Sequence, residues 1–151
     1  MTTALLTHEA CLGHVTPEAH PEQVARLARV LAALADLPLI RTEAPEATDA
    51  DLRRVHPQGY IDRLVAAEPA QGHHQLDADT WLSPGSVAAA RRAAGAAIAA
   101  VDMVLSGAAS NAFCATRPPG HHAETERPMG FCLFGNAALA AKHALDHHGL
   151  D

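Results

Sequence analysis

Residues 111–136, NAFCATRPPGHHAETERPMGFCLFGN, decide the fold of this 151-residue chain. The apolar run at residues 112–115 is short, as in a strand that is buried in a parallel sheet. It stops at residues 117–120, RPPG, because proline lacks the N–H donor that a central strand needs. The stretch therefore predicts an α/β fold with a parallel sheet, in which a strand ends in a loop of residues 117–135, which we call the histidine loop.

Two adjacent histidines, His121 and His122, lie in this loop just past the predicted strand end. In open α/β sheets, ligands bind beyond the carboxyl ends of the strands, so the pair lies where a ligand is expected. Histidine ordinarily changes charge near neutral pH, and two neighbouring imidazoles can serve as general base and general acid. A solvent-exposed or structural pair is the alternative, and the pair alone leaves both interpretations open.

The rest of the chain alternates helix and strand patterns. Apolar residues recur every three or four positions over residues 21–37, which predicts an amphipathic helix that begins at Pro21 and stops before Pro38. The last helix is expected to bury Leu139 and Leu145. The other predicted elements are helices that begin at Thr48 and Ser83, helices over residues 58–67 and 136–148, strands over residues 3–7 and 39–42, and a loop over residues 68–82.

Composition narrows the possible partners. The chain has 17 acidic and 11 basic residues, a net charge of −6, which argues against a nucleic-acid-binding surface. No apolar run reaches the ~20 residues of a membrane span, and the start of the chain lacks the pattern of a secretory signal. Three cysteines without metal-type spacing fit a reducing compartment. We therefore expect a cytoplasmic protein with neither nucleic-acid nor membrane partners.

Most other histidines are expected to be structural or solvated. Cys11 and His14 have the spacing of half a zinc site, but no second half accompanies them. His56 is predicted to be a structural or surface residue. The histidines predicted to be solvated, or to interact with the dipole at the end of the last helix, are His143, His147 and His148.

Four blocks of the chain, in this order, resemble the histone deacetylase superfamily, the arginase-like zinc amidohydrolases. They are HPE with Arg26 (residues 20–26), VHPQGYIDRL (55–64), LDADTWLSPGSVAAA (76–90) and the segment from RPPGHHA to GFC (117–132). The resemblance implies an arginase/deacetylase-like three-layer fold with a parallel sheet. It also implies that residues 1–151 are the N-terminal part of a single domain, truncated after the helix that follows the histidine loop.

The resemblance also assigns roles to individual residues. His121 would be the more buried, electrostatic member of the pair, and His122 the principal general base and later acid. Phe131 would form one wall of a tunnel around the lysine methylenes, and Gly130 would line that tunnel with backbone alone. Asp79 corresponds to a carboxylate at the rim that accepts hydrogen bonds from substrate N–H groups, with an ordinary turn residue as the alternative.

The family hydrolyses amides with one zinc ion, and acetylated lysine peptides or small acylated amines are its substrates. Its zinc ligands, and the aspartates that orient the two histidines, would lie beyond Asp151, so we expect no metal ligand in this chain. The resemblance therefore implies a zinc-dependent deacetylase. It also implies that residues 1–151 on their own are inactive. The alternatives are a non-catalytic truncated module without bound metal, or an unrelated α/β protein that binds a small ligand at the histidine loop.

Overall fold

Strands and helices alternate along the computed structural model, which describes residues 1–150. In chain order the elements are β1 (Thr3–Thr7), α1 (Ala10–Gly13), α2 (Val24–Ala33), β2 (Ile40–Glu43), α3 (Asp49–Leu52), α4 (Gln58–Ala67), β3 (His74–Gln75), β4 (Trp81–Leu82), α5 (Ser86–Leu105), β5 (Asn111–Cys114) and α6 (Asn136–His148). None of the described helices has both the length and the apolarity of a bilayer span. The predicted α/β class is confirmed.

The central sheet has three parallel strands in the order β2–β1–β5. Ala4 of β1 pairs with Ile40 on one side and with Ala112 on the other. In a parallel sheet the carboxyl ends of the strands meet at one edge, and the chain leaves β5 at this edge. The sheet thus delivers the histidine loop to the edge at which a ligand was predicted to bind.

Helices cover both faces of the sheet, as the strand β1 shows. Ala4 and Leu6 point towards α5, whereas Leu5 points towards α2, and all three side chains are fully buried. This alternation follows from the two-residue period of a strand. Helix α6 packs on α5, and α4 joins them in a second apolar cluster with Leu133 and Phe134 of the histidine loop. The result is the predicted three-layer arrangement, with the loop fixed to its core.

One long side of β5 carries no strand partner among residues 1–150. Phe113 on this strand is 48% exposed. An open groove on the α2 side is lined in part by Val30 and Phe113, and another on the opposite side by Leu105 and Leu150. An unpaired strand with apolar side chains on both faces favours association with another chain.

Helix α2 begins and ends inside its predicted bounds, at Val24 rather than Pro21 and at Ala33 rather than Leu37. The start is delayed because Glu22 is buried, where its carboxylate pairs with a distant arginine, so the preceding segment remains a loop. Local helix signals cannot reveal a constraint from a remote part of the chain.

Two other predicted features differ from the structure. Helix α5 is preceded by Gly85 in a left-handed conformation (φ +88°), and Ser83 instead shares a hydrogen bond with the hydroxyl of Ser86. The predicted loop of residues 68–82 contains the short antiparallel pair β3–β4. Such brief strands carry too little periodicity to stand out in the sequence.

Helix α6 has its predicted bounds and ends at Gly149, which is left-handed (φ +63°). Its predicted buried face is only partly right, because Leu139 is fully buried whereas Leu145 is 46% exposed. His143, four residues after Leu139 and on the same side of the helix, takes the second buried position. Leu145 lies two residues further on and is therefore turned towards solvent.

Two leucine-to-alanine variants of α6 test this assignment. Leu139→Ala is expected to lower the free energy of unfolding by about 2–5 kcal/mol, since it empties a buried site. Leu145→Ala, the same change at an exposed position of the same helix, is expected to cost less than about 1 kcal/mol. Urea denaturation of both variants measures the difference, and equal losses would contradict the orientation of α6.

Candidate active site

A buried ion pair fixes the start of the histidine loop. Arg117 is 4% exposed and Glu22 is 1% exposed. Nε and Nη2 of Arg117 donate to the two carboxylate oxygens of Glu22 over 2.5 and 2.6 Å, and Nη1 donates to the carbonyl oxygen of Cys11 over 3.1 Å. Two-pronged charged hydrogen bonds of this kind are strong and set orientation. Arg117, three residues after the end of β5, is thus tied to the segments around α1 and α2.

His14 extends this polar cluster to helix α5. Its Nδ1 lies 2.7 Å from the hydroxyl oxygen of Ser86. Burial and, to a smaller extent, the nearby Arg117 guanidinium lower the pKa of His14 to about 4. The ring is therefore neutral at pH 7, and its 3.8 Å approach to Glu22 is not an ion pair. Cys11 packs in an apolar cluster with Leu5, Leu27 and Ala115, so the two members of the Cys-x-x-His pair have different surroundings.

The turn that follows is held at its far end by helix α6. The Arg117–Pro118 peptide bond is cis. The backbone N–H of Ala137 donates to the carbonyl oxygen of Gly120 over 2.9 Å. A Cβ atom at Gly120 would lie 2.1 Å from Cγ of Asn136, so this close approach requires glycine. His121 therefore leaves a turn whose two ends are both anchored.

The rings of His121 and His122 lie 4.2 Å apart, centre to centre, with an angle of 54° between their planes. The backbone of His122 is held by an N–H···Sγ contact of 3.5 Å with Cys132. Both side chains are exposed, and no hydrogen bond to their ring nitrogens is made by residues 1–150. The greater burial predicted for His121 is therefore not seen in this part of the chain.

Gly130 lies directly against His122. A Cβ atom at this glycine would come within 2.8 Å of three atoms of the His122 side chain, and its φ of +57° is unfavourable for other residues. The family resemblance implied that Gly130 lines a substrate tunnel with backbone alone, where a side chain would block it. The structure adds a nearer reason, because that side chain would first displace the histidine.

Phe131 adopts a left-handed backbone conformation, with φ of +70°. For a residue other than glycine this costs on the order of 1–3 kcal/mol, so neighbouring groups must hold it. The Phe131 N–H donates to the buried hydroxyl oxygen of Thr80 over 3.1 Å. The His20 ring meets the Phe131 ring edge-on at 4.9 Å. The Phe131 ring thus packs against His20, and the neighbouring residue Gly130 lies against His122.

Asp79 lies in the turn between β3 and β4, with an exposed side chain. Its carboxylate accepts a hydrogen bond from the Thr80 hydroxyl over 3.2 Å, and its carbonyl lies 2.9 Å from Nε2 of His20. This position suits both the rim role and the turn role that the sequence left open. Through Thr80 and His20, Asp79 joins the same cluster as Phe131.

Contacts thus connect all five residues that the sequence singled out: Asp79, His121, His122, Gly130 and Phe131. Two linking residues, His20 and Thr80, had been given no role. His20 belongs to the HPE block and Thr80 follows Asp79, so the motifs contained both residues, but only the fold shows what they touch.

A different cluster lies between helices α5 and α6 and consists of Asp102, His143 and His148. Their potential metal-ligand atoms lie within 4.8 Å of one another, and no other such group of three is found within residues 1–150. His143 is buried, which corrects the prediction that it is solvated. Its Nε2 lies 2.6 Å from a carboxylate oxygen of Asp102, and that oxygen lies 2.8 Å from Nε2 of His148. Partial burial would raise the pKa of Asp102, but the two histidine hydrogen bonds lower it below its ordinary value.

This cluster does not fit zinc. Arg54 donates to Nδ1 of His143, because a guanidinium has no acceptor. Nδ1 is therefore unprotonated, and the ring proton is on Nε2, the atom that would have to bind the metal. A histidine that binds metal normally donates its other N–H to an acceptor, the opposite of this arrangement. Nor do the described residues place a third ligand beside His121 and His122.

Known proteins resemble this chain over most of its length. The family model described as "Histone deacetylase domain" matches residues 20–151. The chain belongs to the histone deacetylase family. A histone deacetylase-like amidohydrolase of Pseudomonas aeruginosa is 48% identical over 108 residues, 72% of this chain. The polyamine deacetylase HDAC10 of Homo sapiens is 37% identical across 99% of it.

The structural match confirms the deacetylase fold that the motifs implied. The crystal structure of the HDA15 HD domain superimposes on 95% of the chain with a TM-score of 0.88 and 34% sequence identity. The match covers 43% of the HDA15 chain, and the two curated histone deacetylase relatives are covered over 28% and 24% of their lengths. The chain therefore corresponds to one portion of the larger deacetylase proteins.

Removal of the Glu22 charge tests the buried ion pair. Glu22→Gln leaves Arg117 buried without a countercharge and is expected to lower the free energy of unfolding by about 3–5 kcal/mol. Lys142→Ala, which breaks the exposed pair with Asp146, is expected to cost less than about 0.5 kcal/mol. Denaturant titration measures both, and a similar small loss for Glu22→Gln would contradict its structural role.

Acid should destabilise the fold through His14. Its pKa falls from 6.5 to about 4 on folding, so the native state binds fewer protons than the unfolded state between these values. Stability is thus complete above pH 6.5 and is lost as pH falls to 4, by about 3 kcal/mol at ~1.4 kcal/mol per unit. Unfolding measured from pH 7 to 4 should show a clearly larger loss in the wild type than in His14→Gln, which retains only the loss due to His56, whose pKa burial also lowers. An equal loss in both proteins would contradict the prediction.

Proposed function

We propose that this chain is part of a zinc-dependent deacetylase that hydrolyses the amide of acetyl-lysine or of a related acylated amine. One observation carries the proposal. In a member of the histone deacetylase family, two adjacent and exposed imidazoles lie beyond the carboxyl edge of the parallel sheet, and Gly130, which directly precedes Phe131, lies against one of them, His122. Among the relatives are proteins named polyamine deacetylase and histone deacetylase-like amidohydrolase.

The spacing of the two rings suits the proton transfers of amide hydrolysis. Water adds to the acyl carbon and the C–N bond breaks, so one proton leaves the water and one must reach the departing amine. The two rings lie 4.2 Å apart, close enough to act on one reacting amide group. His122 would accept the proton of the water and later protonate the amine, while His121 stabilises the charge that develops.

Three further groups would hold the substrate. The Phe131 ring and the Gly130 backbone would flank an apolar methylene chain, and the exposed carboxylate of Asp79 would accept an N–H group of the substrate. Peptidyl acetyl-lysine and small acylated amines share this chemistry. Because no set among residues 1–150 fits zinc beside the histidines, we assign its ligands to residues outside this part of the chain.

A chimera tests the proposal. Residues 1–150 would replace the matching segment of the Pseudomonas aeruginosa amidohydrolase, and the product would be assayed for acetate release from an acetyl-lysine peptide and from an N-acetylated polyamine. We expect zinc-dependent hydrolysis by the chimera. His122→Ala should lower kcat by about 10²–10⁴-fold, the usual contribution of a general acid–base group. His147→Ala, at an exposed position of α6, should leave kcat unchanged.

Two results would count against this function. A folded, zinc-loaded chimera that releases no acetate would favour the alternative of a non-catalytic module. Full activity without His122 would remove the proposed base. The 151-residue chain is assayed in parallel, since stoichiometric zinc and turnover there would show that the metal ligands lie within it.

A further inference from the structure

His56 joins two distant points of the histidine loop. The residue is 0% exposed and lies two positions before helix α4. Its Nδ1 is 2.9 Å from the carbonyl oxygen of Thr125, and its Nε2 is 2.9 Å from the backbone nitrogen of Gly135. Thr125 and Gly135 are ten residues apart in the loop. A single rigid ring therefore spans the base of the segment between them.

The two partners determine the protonation state of this ring. A carbonyl oxygen only accepts, so Nδ1 of His56 carries a hydrogen, and a backbone N–H only donates, so Nε2 is unprotonated. Only the neutral ring with its hydrogen on Nδ1 satisfies both contacts. A second ring proton would point at the N–H of Gly135. Burial lowers the pKa of His56, which favours the neutral form.

Aromatic neighbours hold the ring in place. The Tyr60 ring stacks on His56 at 5.0 Å with an interplanar angle of 26°, and the Phe134 ring lies at 5.5 Å. The Tyr60 hydroxyl donates to the carbonyl oxygen of Leu133 over 2.6 Å. Helix α4 thus contributes a fixed support on which the far end of the loop rests.

We propose that His56 is a positioning residue for the histidine pair. By joining Thr125 to Gly135, it closes the segment that carries Gly130 and Phe131. Gly130 lies against the side chain of His122, so the closed segment sets where that imidazole can lie. His56 itself does not contact the pair or the substrate. The inference rests on the proposed function, because His122 is the group that it places.

Nuclear magnetic resonance of the histidine-labelled 151-residue protein tests the proposal without any need for turnover. At pH 7 the unmodified protein should show His56 as the Nδ1–H tautomer. His56→Phe keeps a stacked ring but lacks both nitrogens. In this variant, hydrogen exchange of the Gly135 amide should become at least about tenfold faster, and the contact between the His121 and His122 rings should weaken.

His143→Phe is the matched control. His143 is also buried, and both of its nitrogens are bonded, but to Asp102 and Arg54, outside the histidine loop. The variant should be less stable than the wild type and yet leave the His121 and His122 signals unchanged. His56→Gln, which keeps one donor and one acceptor on a flexible side chain, should restore part of the slow exchange at Gly135.

Three results would overturn the proposal: a different protonation state of His56 at pH 7, unchanged histidine signals in a folded His56→Phe variant, or the same change in His143→Phe. Because the tautomer of His56 is measured on the unmodified protein, it tests the proposal even if a variant does not fold. In the active chimera, His56→Phe should lower kcat more than it changes KM. A chimera without activity would count against the proposed function and would leave the resonance result intact.

Discussion

The structure depends on the ion pair between Glu22 and Arg117. These residues are 95 positions apart, and both are almost completely buried. Because water does not reach them, each charge is compensated mainly by the other. The pair explains why helix α2 starts late and why the segment before it is a loop. It also fixes the point at which the chain leaves β5. A buried charge pair adds little net stability compared with apolar packing, but it allows few alternative arrangements of the loops that it joins.

The histidine loop is held by contacts with the rest of the fold, whereas the two histidines that it carries are exposed. Hydrogen bonds at Gly120 and Gly135 hold the histidine loop to helix α6 and to the His56 ring. Within the loop, Gly130 packs against the His122 side chain. In contrast, the His122 side chain is exposed, and its ring nitrogens make no hydrogen bond within residues 1–150. This combination suits a group that must be well placed and still free to exchange protons with a bound substrate.

Periodic patterns in the sequence predicted the parallel sheet, the bounds of α4 and α6, and the position of the loop, because these depend on neighbouring residues. The late start of α2 and the burial of His143 could not be predicted, since both result from charged partners far along the chain. The residues of the site came from family motifs, and a histidine pair alone would have left the role open. The left-handed conformation of Phe131 had no signal, because a large aromatic residue ordinarily avoids it.

That conformation has an evolutionary consequence. Glycine at position 131 would relieve the backbone strain, so drift towards greater stability would favour loss of the ring. Phe131 offsets part of this strain through the hydrogen bond of its N–H to Thr80 and the contact of its ring with His20. Under the proposed function, stability and activity therefore compete at Phe131, and selection for thermal resistance alone should favour glycine there.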